Sequence, residues 1–153
     1  MMLEGPRRPP AAGGSPQSMV IFLHGYGSNG DDLISLAEYW RAALPNTIFL
    51  SPNAPEICPG APDGYQWWGL SNPTPGGRAA GVRKPAAGLN TFIDAELARS
   101  GLPESRLALV GFSQGTMMAL HVGPRRAQAM AGIVGFSGML ADPDELMTEV
   151  VSR

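Results

Sequence analysis

The sequence predicts an α/β domain with a mostly parallel β-sheet covered by helices on both faces. Short apolar runs typical of buried strands alternate along the chain with segments of helical periodicity. The strand-like runs are apolar throughout, as expected where a parallel sheet is buried on both faces. A chain of 153 residues can bury a sizeable core. We therefore predict a single domain over residues 1–153.

The first half of the chain contains two predicted strands and one predicted helix. After a glycine- and proline-rich segment over residues 5–16, the run SMVIFLH predicts a buried strand from Ser18 to His24. Apolar residues at helical spacing predict a helix from Asp31 to Leu44, with acidic residues in its first turn and Pro45 after its end. A second strand is predicted from Asn46 to Ser51.

The second half begins with a long predicted loop. This loop, Pro52–Arg78, has no periodicity, and its GYQWW stretch favours a functional role over disorder. The elements predicted after it are a helix around Leu89–Leu97, a strand at Arg106–Phe112, a helix at Ser113–Val122, a strand at Met130–Phe136 and a helix that begins near Asp142.

Composition and charge exclude several classes of function. The net charge is −2 without runs of like charge, which argues against nucleic acid or an anionic membrane as a partner. No apolar run approaches the length of a membrane span, and the first eighteen residues lack the apolar core of a signal peptide. Cys58 is the only cysteine, which excludes an intrachain disulfide and a cysteine-rich zinc site. We therefore predict a cytoplasmic protein with no integral membrane association and no metal.

The pentapeptide from Gly111 to Gly115, GFSQG, has the G-x-S-x-G pattern of a nucleophile elbow. It lies where an apolar strand is predicted to end and a buried helix to begin, which is the setting this motif requires. Ser113 would sit on a strained turn above the sheet, and glycines are needed where strand and helix cross. The alternative is a glycine-rich helix start at which Ser113 is only an N-cap.

The stretch LHGYGSNGDD contains G-x-G-x-x-G between a predicted strand and a predicted helix, which is also typical of dinucleotide binding. No acidic residue for a ribose occurs over residues 50–55, and two aspartates after the glycines would repel a pyrophosphate. We interpret the loop instead as half of an oxyanion hole. Gly25 and Gly27 let its backbone turn inward, and the N–H groups of Tyr26 and Gln114 are the predicted donors.

Four segments together resemble the bacterial phospholipase/carboxylesterase family: FLHGYGSNGDDL, APEICPG, GYQWWGL and LALVGFSQGTMMAL. That family is similar to the acyl-protein thioesterases and has the α/β-hydrolase fold, so the resemblance implies an α/β-hydrolase core. It also implies a serine hydrolase that cleaves short- to medium-chain esters, thioesters or lysophospholipids without a cofactor or metal. Ser113 would be the nucleophile, and Trp67 would lie by the acyl pocket. The Trp67–Trp68 pair is interpreted as an apolar wall for the acyl chain.

A histidine base and an acid are the missing parts of a catalytic triad. The chain has two histidines. His121 is about 12 Å along the predicted helix from Ser113 and is interpreted as a core or helix-end residue. His24 precedes the serine and is interpreted as part of the oxyanion loop, with a role as base as the alternative. Asp142 fits the N-cap of the last helix better than a catalytic acid.

In the resembled family the acid and base come from two later strands. The sequence is therefore interpreted as a hydrolase core truncated at the C-terminus and lacking the last strands, with doubtful activity as it stands. A non-catalytic remnant or interaction module is the alternative. The strand from Met130 would also leave an apolar sheet edge unpaired, which predicts self-association.

Overall fold

The computed structural model of the chain describes residues 2–150 as helices packed on a five-stranded sheet. Met1 and residues 151–153, which the predicted single-domain span includes, lie outside this range. In chain order the strands are β1 (Arg7–Arg8), β2 (Ser18–Leu23), β3 (Thr47–Leu50), β4 (Glu56–Ile57), β5 (Tyr65–Gln66), β6 (Leu107–Phe112) and β7 (Gly132–Phe136). The helices are α1 (Gly30–Ile34), α2 (Ala37–Trp40), α3 (Pro75–Ser100), α4 (Gln114–Val122) and α5 (Pro143–Glu149).

The five-stranded sheet has the order β1-β3-β2-β6-β7, and β4 and β5 form a separate hairpin. Within the five-stranded sheet, the pairs β2–β3, β2–β6 and β6–β7 are parallel, and the short β1 pairs antiparallel with β3. The prediction of a mostly parallel sheet is confirmed. Because β2 and β6 are parallel neighbours, the loop after Leu23 and the turn after Phe112 meet at the same end of the sheet.

Two apolar layers cover the sheet. Side chains of β2 and β6 such as Ile21 and Leu109 are buried under α3 and α4. On the opposite face, Phe22 and Phe49 stack 5.9 Å apart and pack with residues of α1 and α2. The helices therefore lie on both faces, as the apolar strands predict. Among residues 2–150, no helix is long and apolar enough to cross a membrane.

The layer on the α1 side stops short of the end of the sheet. Phe112, Val134 and Phe136 are each about half exposed, with exposed fractions of 49%, 47% and 50%. Phe112 and Phe136 border an open apolar groove of about 360 Å³ between α1–α2 and the strands β6 and β7. β7 is an edge strand of the sheet, so its outer edge and this face together form an uncovered apolar surface, called the β7 surface below.

The predicted helix from Asp31 to Leu44 is wrong as a single element. The structure has two short helices, with a tight turn between Ile34 and Ala37. The Ser35 hydroxyl donates to the Asp32 carbonyl, and the Leu36 N–H donates to the Leu33 carbonyl three residues back. These local bonds replace the regular helical pattern and end α1 early.

The boundary between the predicted loop and the next helix is also wrong. α3 begins at Pro75 rather than near Leu89 and runs through Pro85 to Ser100. Thr74 caps it through its hydroxyl, which accepts the Gly77 N–H, and Pro75 suits the first turn. The glycine- and proline-rich composition hid these signals. The helix ends at Ser100, and Gly101 caps it with φ 67°, a left-handed conformation that glycine adopts without strain.

Candidate active site

Ser113 lies at the turn where β6 ends and α4 begins. Its φ of 54° and ψ of −115° are strained for a residue with a side chain, and such strain is typical of functional sites. The turn is anchored by the Ser113 N–H, which donates a 2.9 Å hydrogen bond to the Phe136 carbonyl on β7. The serine side chain makes no capping hydrogen bond to α4, so the alternative of a simple N-cap is not supported.

Glycines on both sides of Ser113 allow the close crossing of strand and helix. A Cβ atom on Gly115 would overlap the carbonyl of Leu23 at the end of β2. A Cβ atom on Gly111 would lie 2.5 Å from the Gly115 carbonyl carbon. Any side chain at either position would therefore push α4 away from the sheet and shift the serine.

The loop after β2 lies directly beside the elbow. A Cβ atom built on Gly25 would be 3.3 Å from the Ser113 Cβ, so the loop backbone approaches as closely as a glycine permits. Within residues 2–150, neither the Tyr26 N–H nor the Gln114 N–H donates a hydrogen bond to the backbone. Two free donors next to a strained serine are what an oxyanion hole requires.

The same loop does not provide a pyrophosphate site. Gly27 turns the chain with φ 78°, but the N–H groups that follow are already used. The Gly30 N–H donates to Asn53 Oδ1 at 2.7 Å, and the Asp32 N–H donates to Asn29 Oδ1 at 2.9 Å. The start of α1 is thus capped by side chains, which argues against the dinucleotide interpretation.

Both ring nitrogens of His24 are occupied. Its Nε2 accepts the Ala54 N–H at 2.9 Å, and its Nδ1 lies 2.7 Å from the Gly25 carbonyl, so Nδ1 carries the proton. The ring is completely buried, and burial lowers the pKa of His24 against the opposing effect of the Gly25 carbonyl. A neutral histidine with both nitrogens engaged shapes the loop and cannot accept a proton from Ser113.

Trp67 and Trp68 are buried, with exposed fractions of 0% and 5%. The Trp67 indole N–H donates to the His24 carbonyl at 2.9 Å, and the Trp68 ring packs against Gly81 on α3. The prediction that the pair forms a wall for an acyl chain remains untested. Their burial leaves little surface for a substrate in this structure, and their contacts instead tie the loop to the core.

The Gln114 side chain was not singled out by the sequence, yet it connects the elbow to this loop. Its Oε1 accepts the Trp67 N–H at 2.9 Å, and its Nε2 donates to the Trp68 carbonyl at 2.8 Å. The amide is 3% exposed and makes both bonds across a long sequence separation. Sequence spacing carries no signal for such a contact.

Asp142 occupies the N-cap position of α5, but the prediction that its side chain caps the helix is wrong. The carboxylate is buried and lies 2.6 Å from Arg83 on α3 and 3.8 Å from Arg125. Both arginines also contact Glu149. The arginines thus compete with the helix backbone for the carboxylate, and ion pairs from Arg83 and Arg125 connect Asp142 and Glu149 to the fold.

His121 lies two turns into α4 and is buried. Burial, followed by the positive charges of Arg125 and Arg83, lowers its pKa to about 4. The two turns place it about 12 Å along the helix from Ser113, beyond hydrogen-bonding reach. Within residues 2–150, no group of three or more His, Cys, Asp and Glu side chains is arranged to hold a metal ion.

A serine on a strained turn between a parallel strand and a helix, flanked by close-packed glycines, is typical of the nucleophile elbow of the α/β-hydrolase fold. The predicted fold is confirmed. A family profile described as Phospholipase/Carboxylesterase matches residues 11–152. The chain belongs to this family, as the sequence resemblance predicts.

Individual relatives agree with this assignment. The chain is 36% identical over 126 residues to acyl-protein thioesterase 1 of Schizosaccharomyces pombe, a match that covers 79% of this chain and 55% of the thioesterase. It is similar over its whole length to the crystal structure of esterase PE8, with a TM-score of 0.95, 41% identity and coverage of 72% of that chain. Arabidopsis thaliana SOBER1, with a TM-score of 0.75, 20% identity and coverage of 88% and 67% of the two chains, shares the fold. The chain thus spans little more than half the length of the thioesterase.

Proposed function

We propose that this chain is the nucleophile-bearing part of a serine hydrolase that cleaves acyl esters or thioesters. The strained backbone of Ser113 is the observation that carries this proposal. An N-cap would not need φ 54°, whereas a serine presented to a substrate above the sheet does. The N–H groups of Tyr26 and Gln114 support it, because in the described part of the chain they donate no backbone hydrogen bond and belong to residues next to the elbow, where negative charge would develop.

The reaction would be a two-step acyl transfer. The Ser113 oxygen attacks the substrate carbonyl carbon while a general base takes its proton, and the carbonyl oxygen becomes an oxyanion held by the N–H groups of Tyr26 and Gln114. Collapse of the tetrahedral intermediate breaks the ester or thioester bond, and the alcohol or thiol leaves with the proton that the base returns. Water then attacks the acyl-serine in the same way and releases the carboxylic acid. The N-terminus of α4 behind Ser113 adds positive potential at the oxyanion.

The substrate class follows from the relatives. The family description and the printed names of the relatives refer to phospholipases, carboxylesterases, esterases and acyl-protein thioesterases. We therefore propose short- to medium-chain carboxylic esters, thioesters or lysophospholipids as substrates, with no cofactor.

The uncovered β7 surface supports the further proposal that the chain associates with itself.

The chain as it stands should be an impaired catalyst. His24 has no free nitrogen and His121 is too far away, so neither histidine can take the Ser113 proton. We propose that the acid and base of the triad lie in polypeptide beyond Arg153. The greater length of the thioesterase supports this interpretation.

The test compares p-nitrophenyl butyrate hydrolysis by the purified chain, its Ser113→Ala variant and a chain extended with the C-terminal segment of a family member. The extended chain should turn over at an ordinary enzyme rate that Ser113→Ala abolishes. The short chain should show only faint hydrolysis. An extended, folded chain that stays inactive would contradict the proposal.

A non-catalytic interaction module is the second candidate. The exposed apolar residues of β6 and β7 favour it, because monomeric proteins rarely expose a contiguous apolar surface. This candidate predicts that a fluorophosphonate does not label Ser113 even in the extended chain. Labelling at Ser113 would exclude it.

A further inference from the structure

One segment connects the two halves of the proposed oxyanion hole. The segment Gly64–Trp68, called the strap below, runs along the loop after β2 and then reaches the elbow. The Gly27 N–H donates to the Tyr65 carbonyl at 2.9 Å, and the Tyr65 N–H donates to the Ser28 carbonyl at 2.7 Å. These two bonds join the strap to the loop that contains Tyr26.

The other end of the strap is held by Gln114. The side-chain amide accepts a hydrogen bond from the Trp67 N–H and donates one to the Trp68 carbonyl. Only Gln66 separates Tyr65 from Trp67, so the strap has little freedom to change length between its anchors. Gly64 packs against the Gly27 carbonyl so closely that a Cβ atom would overlap it, which further limits movement.

We propose that the Gln114 side chain is a positioning residue that, through the strap, sets the separation between the N–H groups of Tyr26 and Gln114. This inference rests on the proposed function. There only the backbone N–H of Gln114 has a role, and the inference adds a role for its side chain. The residue that supplies one donor from its backbone uses its side chain to hold the loop that supplies the other. Any shift of the strap therefore changes the spacing of the two donors.

The energetic reason is preorganisation. An oxyanion hole accelerates the reaction because its donors are already in place when charge develops, and no reorganisation is then needed. The Gln114 amide is nine-tenths buried or more and has both of its polar atoms satisfied by the strap. Such a fully bonded polar group fixes geometry more strictly than apolar packing does.

The test uses variants that keep the backbone N–H at position 114. Gln114→Glu keeps an oxygen for the Trp67 N–H but replaces the donor to the Trp68 carbonyl, and Gln114→Ala removes both contacts. Asn90→Ala is the matched control, because it removes an amide that bonds Arg126 on the surface of α3 and has no contact with the elbow. All variants are studied below their thermal midpoints, so that each remains folded.

Two measurements decide the outcome. The first is the rate constant for labelling of Ser113 by a fluorophosphonate, which reports transition-state stabilisation at phosphorus. We expect a decrease of about tenfold in Gln114→Glu and up to about a hundredfold in Gln114→Ala, near the lower limit for loss of one whole donor. The second is the ¹⁵N–¹H amide resonance of Tyr26, which should shift in both Gln114 variants and stay in place in Asn90→Ala.

The two readouts separate the proposals. Absence of labelling in the wild-type chain and in the extended chain would count against the proposed function, and the Tyr26 resonance would then decide the positioning role alone. An unmoved Tyr26 resonance in a folded Gln114 variant would overturn the inference. Equal labelling rates in wild type and the Gln114 variants would also overturn it. If Gln114→Ala does not fold, Gln114→Glu carries the test.

Discussion

The indole N–H of Trp67 donates a 2.9 Å hydrogen bond to the backbone carbonyl of His24. The two rings also pack with their centroids 5.8 Å apart. Because His24 in turn holds the Ala54 N–H and the Gly25 carbonyl, this bond connects the long loop after β3 to the loop beside Ser113. Trp67 thus belongs to the support of the site, whatever contact it makes with a substrate.

We expect Trp67→Phe to destabilise the fold through this single bond. The change keeps an aromatic ring but leaves the buried His24 carbonyl without its donor, which costs about 1–3 kcal/mol. Urea unfolding measures the loss. Trp40→Phe controls for lost ring area, because Trp40 packs against Phe22 on the opposite face of the sheet. Equal losses in the two variants would show that the hydrogen bond is unimportant.

Alanine substitutions at Gly115 in the elbow and at Gly88 in α3 should change the stability of the protein in opposite directions. Gly115→Ala places a Cβ atom on the Leu23 carbonyl and should destabilise the protein by about 1–3 kcal/mol or more. Gly88→Ala in α3 meets no atom within 4 Å and should stabilise the protein by about 0.5–1 kcal/mol. Thermal unfolding of both variants checks the signs. A neutral Gly115→Ala would mean that strand and helix can separate at little cost.

The sequence predicted the sheet and the elbow because both depend on local patterns. Apolar runs identify buried strands, and G-x-S-x-G between a strand and a helix identifies the turn at Ser113. Contacts between distant segments have no such signature. The cap at Asp142 was wrong because Arg83, far away in sequence, competes for the carboxylate. The early start of α3 was missed because Pro75 and the glycines after it are typical of loops.

Protonation of His121 should reduce the stability of the folded chain in acid. Its pKa falls from 6.5 to about 4 in the folded state, so the unfolded chain binds a proton at a higher pH. Stability should therefore decrease as the pH falls from about 6.5 to about 4, by up to about 3 kcal/mol, and then level off for this group. The lowered pKa of Glu149 and of His24 act in the same direction.

The His121→Leu variant isolates this contribution. Arg125, Arg83, Asp142 and Glu149, the charged groups that face His121, remain in it. We expect the free energy of unfolding in urea to fall less between about pH 7 and about pH 4.5 in the variant than in wild type. Parallel losses in the two proteins would assign the acid sensitivity to the other groups.

The uncovered β7 surface predicts self-association. Edge strands with apolar, uncharged residues pair readily with other chains, and charged residues prevent this. We expect Val134→Lys to reduce the average mass measured by light scattering at tens of micromolar. Met147→Lys, on exposed α5, should have no such effect. A wild-type chain that is a uniform monomer would contradict the prediction.

The rate at which Ser113 reacts should depend on pH in a way that reveals the missing base. Without a histidine that acts as base, only the serine alkoxide attacks, and the alkoxide concentration rises about tenfold with each pH unit in the neutral range. Labelling of Ser113 by a fluorophosphonate, followed by intact mass, should therefore increase steadily between about pH 6 and about pH 8 in the short chain. In a chain extended by the C-terminal segment of a family member, the rate should instead level off above the pKa of a histidine, about 6.5.

Mass analysis counts only modified protein, so hydrolysis of the reagent by hydroxide does not affect the result, and Ser113→Ala confirms the modified residue. A plateau in the short chain would show that a base is present. Its loss in His24→Asn would identify His24 as that base despite its two hydrogen bonds, and a dependence on protein concentration would identify a histidine from a second molecule.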